Sequence, residues 1–363
     1  MRVTPKRIFI FTGVLLAVAG LVALRILTAS GAFATARRQD IAGCTSFALP
    51  GSAADLEMDR SSGIVYLSVL DRRALDGNAL VTGTILKLDL NDPGAQALPA
   101  TTGDPPGFRP AGLSLWAHPN GPRRLFVVNH AVDADGAEGR SVEVFEEEED
   151  DHLFHYRKTV LDPAFVNPDD VAAVGPDQFY LTNHGGAGNV LTRAVETVIR
   201  PGWSDVLYYD GTKSSVAVSG RSFAGGVTVS ADGLRLYLAE AGAKQLLIFD
   251  RDTETGSLYW SSLIEVAGAP DKLDIGEDGA LWAAVEPNTW ARERSLSSTT
   301  PAPTVILKFA APVNGFSKAQ TIYSNAGGDF SGGSAAVAHK NQLIIGSVTE
   351  KRLLRCPLPN PPG

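Results

Sequence analysis

A strand–turn–strand unit returns six times along this 363-residue chain, and that recurrence constrains the fold more than any single motif. The clearest copy is FAGGVTVSADGLRLYLAE, from Phe223 to Glu240. Val227 and Val229 alternate with polar neighbours, Ala231-Asp232-Gly233 supplies a tight turn, and Leu236, Tyr237 and Leu238 form a second apolar strand. Aligned on Gly226 of this copy, the six units start at 55, 112, 170, 226, 272 and 335, in steps of 57, 58, 56, 46 and 63 residues. Each step leaves room for a four-stranded sheet with loops. One hairpin cannot bury both of its faces, so neighbouring sheets must stack, and six arranged radially close into an all-β, six-bladed β-propeller. The competing reading is a sandwich or barrel of unrelated hairpins; hits that span the whole chain favour the propeller.

The innermost strands of a propeller line a channel, and residues at their starts crowd one mouth of it. Here those residues are Ala54-Asp55, Ala111-Gly112, Asp169-Asp170, Gly225-Gly226, Asp271-Lys272 and Ser334-Ala335. The second strand of each unit runs back to the same mouth and places His130, Asn183-His184, Glu240 and Glu286 around it. The insertion from Glu286 to Pro303 lies there too and is a candidate lid. A net charge of −8 and a pI near 5.3 argue against nucleic acid as a partner. There is no Gly-x-Ser-x-Gly elbow and no phosphate-binding Walker loop, and His118, His152, His155 and His339 lack zinc-like spacing.

Arg2, Lys6 and Arg7 precede an uncharged run from Ile8 to Leu24, 17 residues long. Basic residues before an apolar span leave the amino terminus in the cytoplasm. The expectation is an uncleaved signal anchor in residues 1–34, with a propeller over 40–360 on the extracytoplasmic side. Cleavage near Ala32-Phe33-Ala34, giving a secreted protein, is the alternative. Cys44 and Cys356, the only cysteines, flank the repeats. In an exported protein they are expected to pair and tie the first strand to the last blade; two unrelated buried thiols are the alternative.

Several stretches together resemble the serum paraoxonase/arylesterase family of calcium-dependent lactonases. They are SAADLEM from Ser52, FRPAGLS from Phe108, LFVVNH from Leu125, DDVAAVGPDQFYLTN from Asp169, FAGGVTVSADG from Phe223 and LIIGSV from Leu343. The end cysteines match that family's bridge, and the retained apolar leader is similar. The resemblance runs from about Gly43 to Cys356. It implies a six-bladed propeller with a buried structural calcium and a second, catalytic calcium that polarises the ester or lactone carbonyl. Asp55 and Asp170 stand where the family has its structural carboxylates, and Leu113 where a backbone carbonyl completes the site.

The catalytic site departs from the family pattern. Ala54 replaces a glutamate, Gly225 an asparagine, and Lys272 a further asparagine, while Asp169 and Asp271 keep oxygen atoms. A charged lysine has three donors and no lone pair, so it cannot ligate calcium. Lys272 is therefore expected to replace the catalytic ion, leaving one structural calcium. The family's first proposed histidine is Ala111 here and the second is His130; Glu286 replaces another, and the pocket aromatic is kept as Phe223. With His184 these residues outline the substrate pocket. The expected function is an exported hydrolase of small hydrophobic esters or lactones, with Lys272 stabilising the oxyanion and Asp271, Asp169 or His130 activating water. The alternatives are a noncatalytic propeller that binds a ligand or protein partner, and an isomerase or cyclase using the same pocket.

Overall fold

The computed structural model describes residues 5–75, 80–117, 121–133, 135–185, 202–311 and 318–359; His118 lies outside them. Six sheets surround one axis. Their innermost strands are Ser52–Asp59, Pro110–Trp116, Pro168–Ala173, Ala224–Val229, Ala269–Ile275 and Gly333–His339. Each packs against the next and the last returns to the first, so the ring is closed. Every inner strand contains the repeat start read from sequence. The blades are four-stranded and antiparallel, except that the second gains a parallel edge strand at Thr101–Thr102.

Alternation along the strands explains the stacking. Leu56, Met58, Val65 and Leu67 of the first blade meet Val337, Ile344 and Leu353 of the sixth. Phe126, Val128 and Val142 of the second meet Val171, Phe179 and Leu181 of the third. Four further clusters fill the remaining blade interfaces in the same way. The chain ends close the ring: Thr45–Ala48 is the outermost strand of the sixth blade, paired antiparallel with Arg352–Pro357. Cys44 and Cys356 are disulfide-bonded across a sequence separation of 312 residues. In the chain-entropy view a loop of that length is worth about 5 kcal/mol.

The leader forms helix α1, Pro5–Ala29, longer than the uncharged run alone. The window Phe11–Thr28 is long and apolar enough to cross a membrane and none of it is buried against the propeller. A second helix, α2, spans Thr289–Ser297 within the expected lid insertion. The Asn288 side chain caps it, accepting from the Ala291 amide at 2.9 Å.

One feature shared by all six blades positions the site. Each inner strand breaks register with its neighbour near its start: between Ala53 and Asp55, Pro110 and Leu113, Pro168 and Asp170, Ala224 and Val227, Pro270 and Leu273, and Gly333 and Ala335. In each case the inner strand carries one extra residue. A β-bulge re-aims side chains and ends regular pairing. The extra residues fall among Ala54, Ala111-Gly112, Asp169, Gly225-Gly226, Asp271-Lys272 and Ser334, so one six-fold backbone device turns these positions into the mouth. The bulges nest closely. A Cβ at Gly112 would lie 2.2 Å from Asp170 Oδ1, and one at Gly226 would lie 2.3 Å from the Asp271 carbonyl. Only glycine fits at either place.

Candidate active site

Lys272 is the centre of the mouth. It is buried, and its ammonium donates to both the carbonyl and Oδ2 of Asp169, each at 2.9 Å. Asp170 Oδ1 lies 3.5 Å away. Burial alone would strip the lysine of its proton; Asp169, Asp170, Asp55 and Asp271 outweigh burial and hold the proton on more tightly than usual. Burial would likewise raise the Asp169 carboxyl, but Lys272, with His184 and Arg292 further off, keeps it well below the ordinary carboxylate range. Lys272 and Asp169 are thus an ion pair at any neutral pH.

The deeper pair behaves in the opposite way. Asp55 Oδ1 and Oδ2 accept from the amides of Leu56 and Leu113, at 2.9 and 2.8 Å. Asp170 Oδ1 and Oδ2 accept from Val171 and Val227, at 3.0 and 2.9 Å. Burial nonetheless pushes Asp55 up to about 7, with Lys272 and the amide bonds offsetting only part of it. Burial also pushes Asp170 well above the ordinary carboxylate range; Lys272 opposes it, while Asp55 and Asp169 add to the push. Each of these oxygens spends one lone pair on an amide and keeps another. Two buried carboxylates with spare lone pairs and a raised proton affinity suit a hard divalent cation.

The outer rim adds arginines that the sequence reading did not single out. Arg292, on α2, reaches Asp271 at 3.2 Å and pairs closely with Glu286. Burial pushes Glu286 up to about 8 although Arg292 opposes it, and Asp271 is raised by burial for the same reason. Arg72 donates to the carbonyls of Ser52 and Pro110, at 3.1 and 3.0 Å. Burial, reinforced by Arg292, lowers it to about 10. His184 Nδ1 donates to the Ala224 carbonyl at 3.2 Å, and its ring lies 5.5 Å from that of Phe223. Phe223 holds a left-handed backbone, φ 55°, which is uncommon for a bulky residue and typical of a constrained site. His130 is drawn toward its neutral form by burial, against Asp169 and a hydrogen bond to the Pro168 carbonyl.

Lys272, Asp169, Asp271, Glu286, His184 and Phe223 therefore share one mouth, with Asp55, Asp170 and the Leu113 amide beneath. Ala111 lies on the same rim, half-buried on the inner strand of the second blade. Glu240 is the exception. Its carboxylate accepts from Ser222 N at 2.7 Å and from Gln245 Nε2 at 2.6 Å, so it serves its own blade. Arg72 lies two residues past the second strand of the first blade, next to but not at the repeat position that yields His130 and His184, so the repeat alone did not point to it. The catalytic calcium does not fit this mouth. Ala54 and Gly225 bring no side-chain oxygen, and the ammonium occupies Asp169. A Cβ at Gly225 would stand 3.8 Å from Asp169 Oδ2 and 3.9 Å from His184 Nδ1, so an asparagine there would reach the place a ligand is missing.

Comparison with known proteins gives the family and the fold. The sequence profile named Arylesterase matches residues 67–358. The chain belongs to the arylesterase family. Within that family it is 29% identical over 303 residues to human serum paraoxonase/arylesterase 1, covering 81% of each chain. It is 29% identical over 275 residues to human serum paraoxonase/lactonase 3, covering 75% of this arylesterase-family chain and 76% of that one. Among solved structures a gluconolactonase from Xanthomonas campestris superposes with a TM-score of 0.52 at 15% identity, over 90% of this chain and 95% of that one. Regucalcin from Agrobacterium tumefaciens gives 0.51 at 12%, over 89% and 97%. These last two share the propeller alone.

Proposed function

We propose that this arylesterase-family chain hydrolyses small hydrophobic esters or lactones with Lys272 in place of the catalytic calcium. The observation that carries the reading is the Lys272 ammonium, buried at the channel mouth and bonded to Asp169. Because its proton is held tightly, Lys272 acts as a fixed positive charge, not as a nucleophile or Schiff-base former. Two of its three donors are spent on Asp169, and the third faces Asp170 only at 3.5 Å. A carbonyl oxygen brought beside it would gain stabilisation as negative charge develops, in a site shielded from water. His130, whose proton affinity is lowered by desolvation, would serve as the base that takes a proton from water. Asp169 keeps Lys272 aimed. Phe223 and His184 form the wall for the apolar part of the substrate. Below them Asp55 and Asp170, with the Leu113 backbone, would hold one structural calcium, whose charge would lower the proton affinity of both carboxyls. Helix α1 and the disulfide support export with the propeller outside the membrane.

The test is turnover of a panel of aryl esters and lactones of several ring sizes by the full-length protein, with calcium counted per chain. The reading expects activity and one calcium. Two calcium ions per chain would restore the usual mechanism, and no turnover across the panel would favour a noncatalytic propeller. That second reading draws on the missing ligands at Ala54 and Gly225 and on alanine at position 111. The triple change Lys272→Asn, Ala54→Glu, Gly225→Asn separates the two: it creates activity if the natural site is inert and abolishes it if the lysine is in use.

A further inference from the structure

The leader and the lid meet. Helix α1 ends with Gly31 in the left-handed region, φ 67°, and with the Ala32 amide bonded back to the Leu27 carbonyl at 3.0 Å. This turn carries the Ser30 carbonyl to the first turn of α2. There it accepts from the Thr289 amide at 2.9 Å and from Thr289 Oγ1 at 3.2 Å. Ser30 and Gly31 are buried in the contact. The fit has no slack: a Cβ at Gly31 would lie 2.0 Å from the Pro287 carbonyl oxygen.

α2 depends on such contacts. It has nine residues, too few to be helical alone, and Ser295 is the only one of them buried. No apolar face fastens it to the propeller. It is held at its start by Ser30, near its end by Arg73, which donates to the Ser295 carbonyl at 3.1 Å, and between them by Arg292. Thr289 and Arg292 are three residues apart, on one face and one turn. A shift at the first moves the second.

We propose that Ser30–Gly31 is a positioning element for the active site, docking α2 so that Arg292 stays against Asp271 and Glu286. The leader is then part of the machinery of the mouth as well as an anchor. The docking stands on the structure alone; its kinetic consequence rests on the hydrolase reading. The test compares full-length wild type with Gly31→Val, Thr289→Val and Thr289→Ser in lipid nanodiscs. Amide exchange across α2 should quicken about tenfold or more in Gly31→Val while the blades keep their protection. Thr289→Val should give a smaller increase, and Thr289→Ser, which keeps the hydroxyl, should match wild type. Gly31→Val should lower kcat in the wild-type background and change nothing further once Arg292→Met is present. Unchanged exchange in α2 overturns the proposal. So does faster exchange with kcat untouched in an active enzyme, or an equal kcat loss with and without Arg292. If wild type turns over no substrate the hydrolase reading falls, and exchange alone decides the docking.

Discussion

The two ends of the channel use the same strands and nearly the same residue types, yet they hold their charges in different ways. Asp55 and Glu57 lie two apart on one inner strand, Lys272 and Asp274 two apart on another. At the upper end the bulges interrupt pairing, and the lysine faces four carboxylates. At the lower end the strands are in regular register. Arg60, in the turn of the first blade, crosses to Asp274 of the fifth and spans both of its oxygens at 2.7 and 2.6 Å. Glu57 accepts from the Leu115 amide at 3.1 Å. The lower mouth is thus a strap between blades. The contrast shows that bulge position, more than residue composition, separates a cluster of carboxylates around one lysine from a strap between blades.

The largest break in that contrast should come from Lys272→Met. It leaves Asp169 and Asp170 facing each other with their cation removed. Turnover should fall on the order of 10³-fold, as when a main oxyanion donor is lost. Stability should drop by about 4 kcal/mol, the usual cost of leaving a buried partner uncompensated. Arg60→Met at the other end should lower stability by about 2 kcal/mol, because the arginine is partly solvated, and should leave kcat unchanged. Urea denaturation and steady-state kinetics on both variants decide the matter. Comparable activity losses from the two would mean that the ends are not separate.

The sequence carried the fold well because each blade must announce itself: an alternating strand, a Gly- or Asp-bearing turn, and an apolar strand. Those six signals placed Asp55, Asp170 and Lys272 at one mouth before any coordinates. The family resemblance also marked Lys272, since it sets a lysine, which has no lone pair when charged, where that family has a calcium ligand. The regular extra residue at every inner strand was not legible, because a bulge depends on the register of the partner strand. Arg292 was hidden for a different reason. It sits in an insertion outside the repeat, where α2 has no apolar periodicity to announce a helix, and its partners Asp271 and Glu286 come from the blade it covers. Arg60 was missed because its partner lies 214 residues away, beyond anything a local pattern records.

The finest distinction is in pH dependence, between Glu57 at the lower mouth and the Lys272–Asp169 pair at the upper. Burial, partly offset by the Leu115 amide, pushes Glu57 up to about 8, with Asp274 adding to the rise. The folded protein therefore binds a proton there that the unfolded chain has released above about pH 4.3. The stability contributed by Glu57 is full below that unfolded value and is lost as pH climbs through about 8. Asp169 has the opposite sign: its stabilisation is present above the ordinary carboxylate range and disappears only on acidification. Between pH 5.5 and 8.5 the lower mouth should thus contribute a falling slope, while the Lys272–Asp169 pair contributes none. Glu57→Gln, which keeps an acceptor for Leu115 but cannot titrate, should shrink the loss of stability across that window by about 1 kcal/mol. Asp169→Asn should lower stability throughout that window, because it leaves Lys272 without its hydrogen-bonded carboxylate. Urea midpoints measured at both pH values on the two variants test the assignment, and a slope that survives Glu57→Gln intact would move the titrating group out of the strap and up to Asp55 or Glu286.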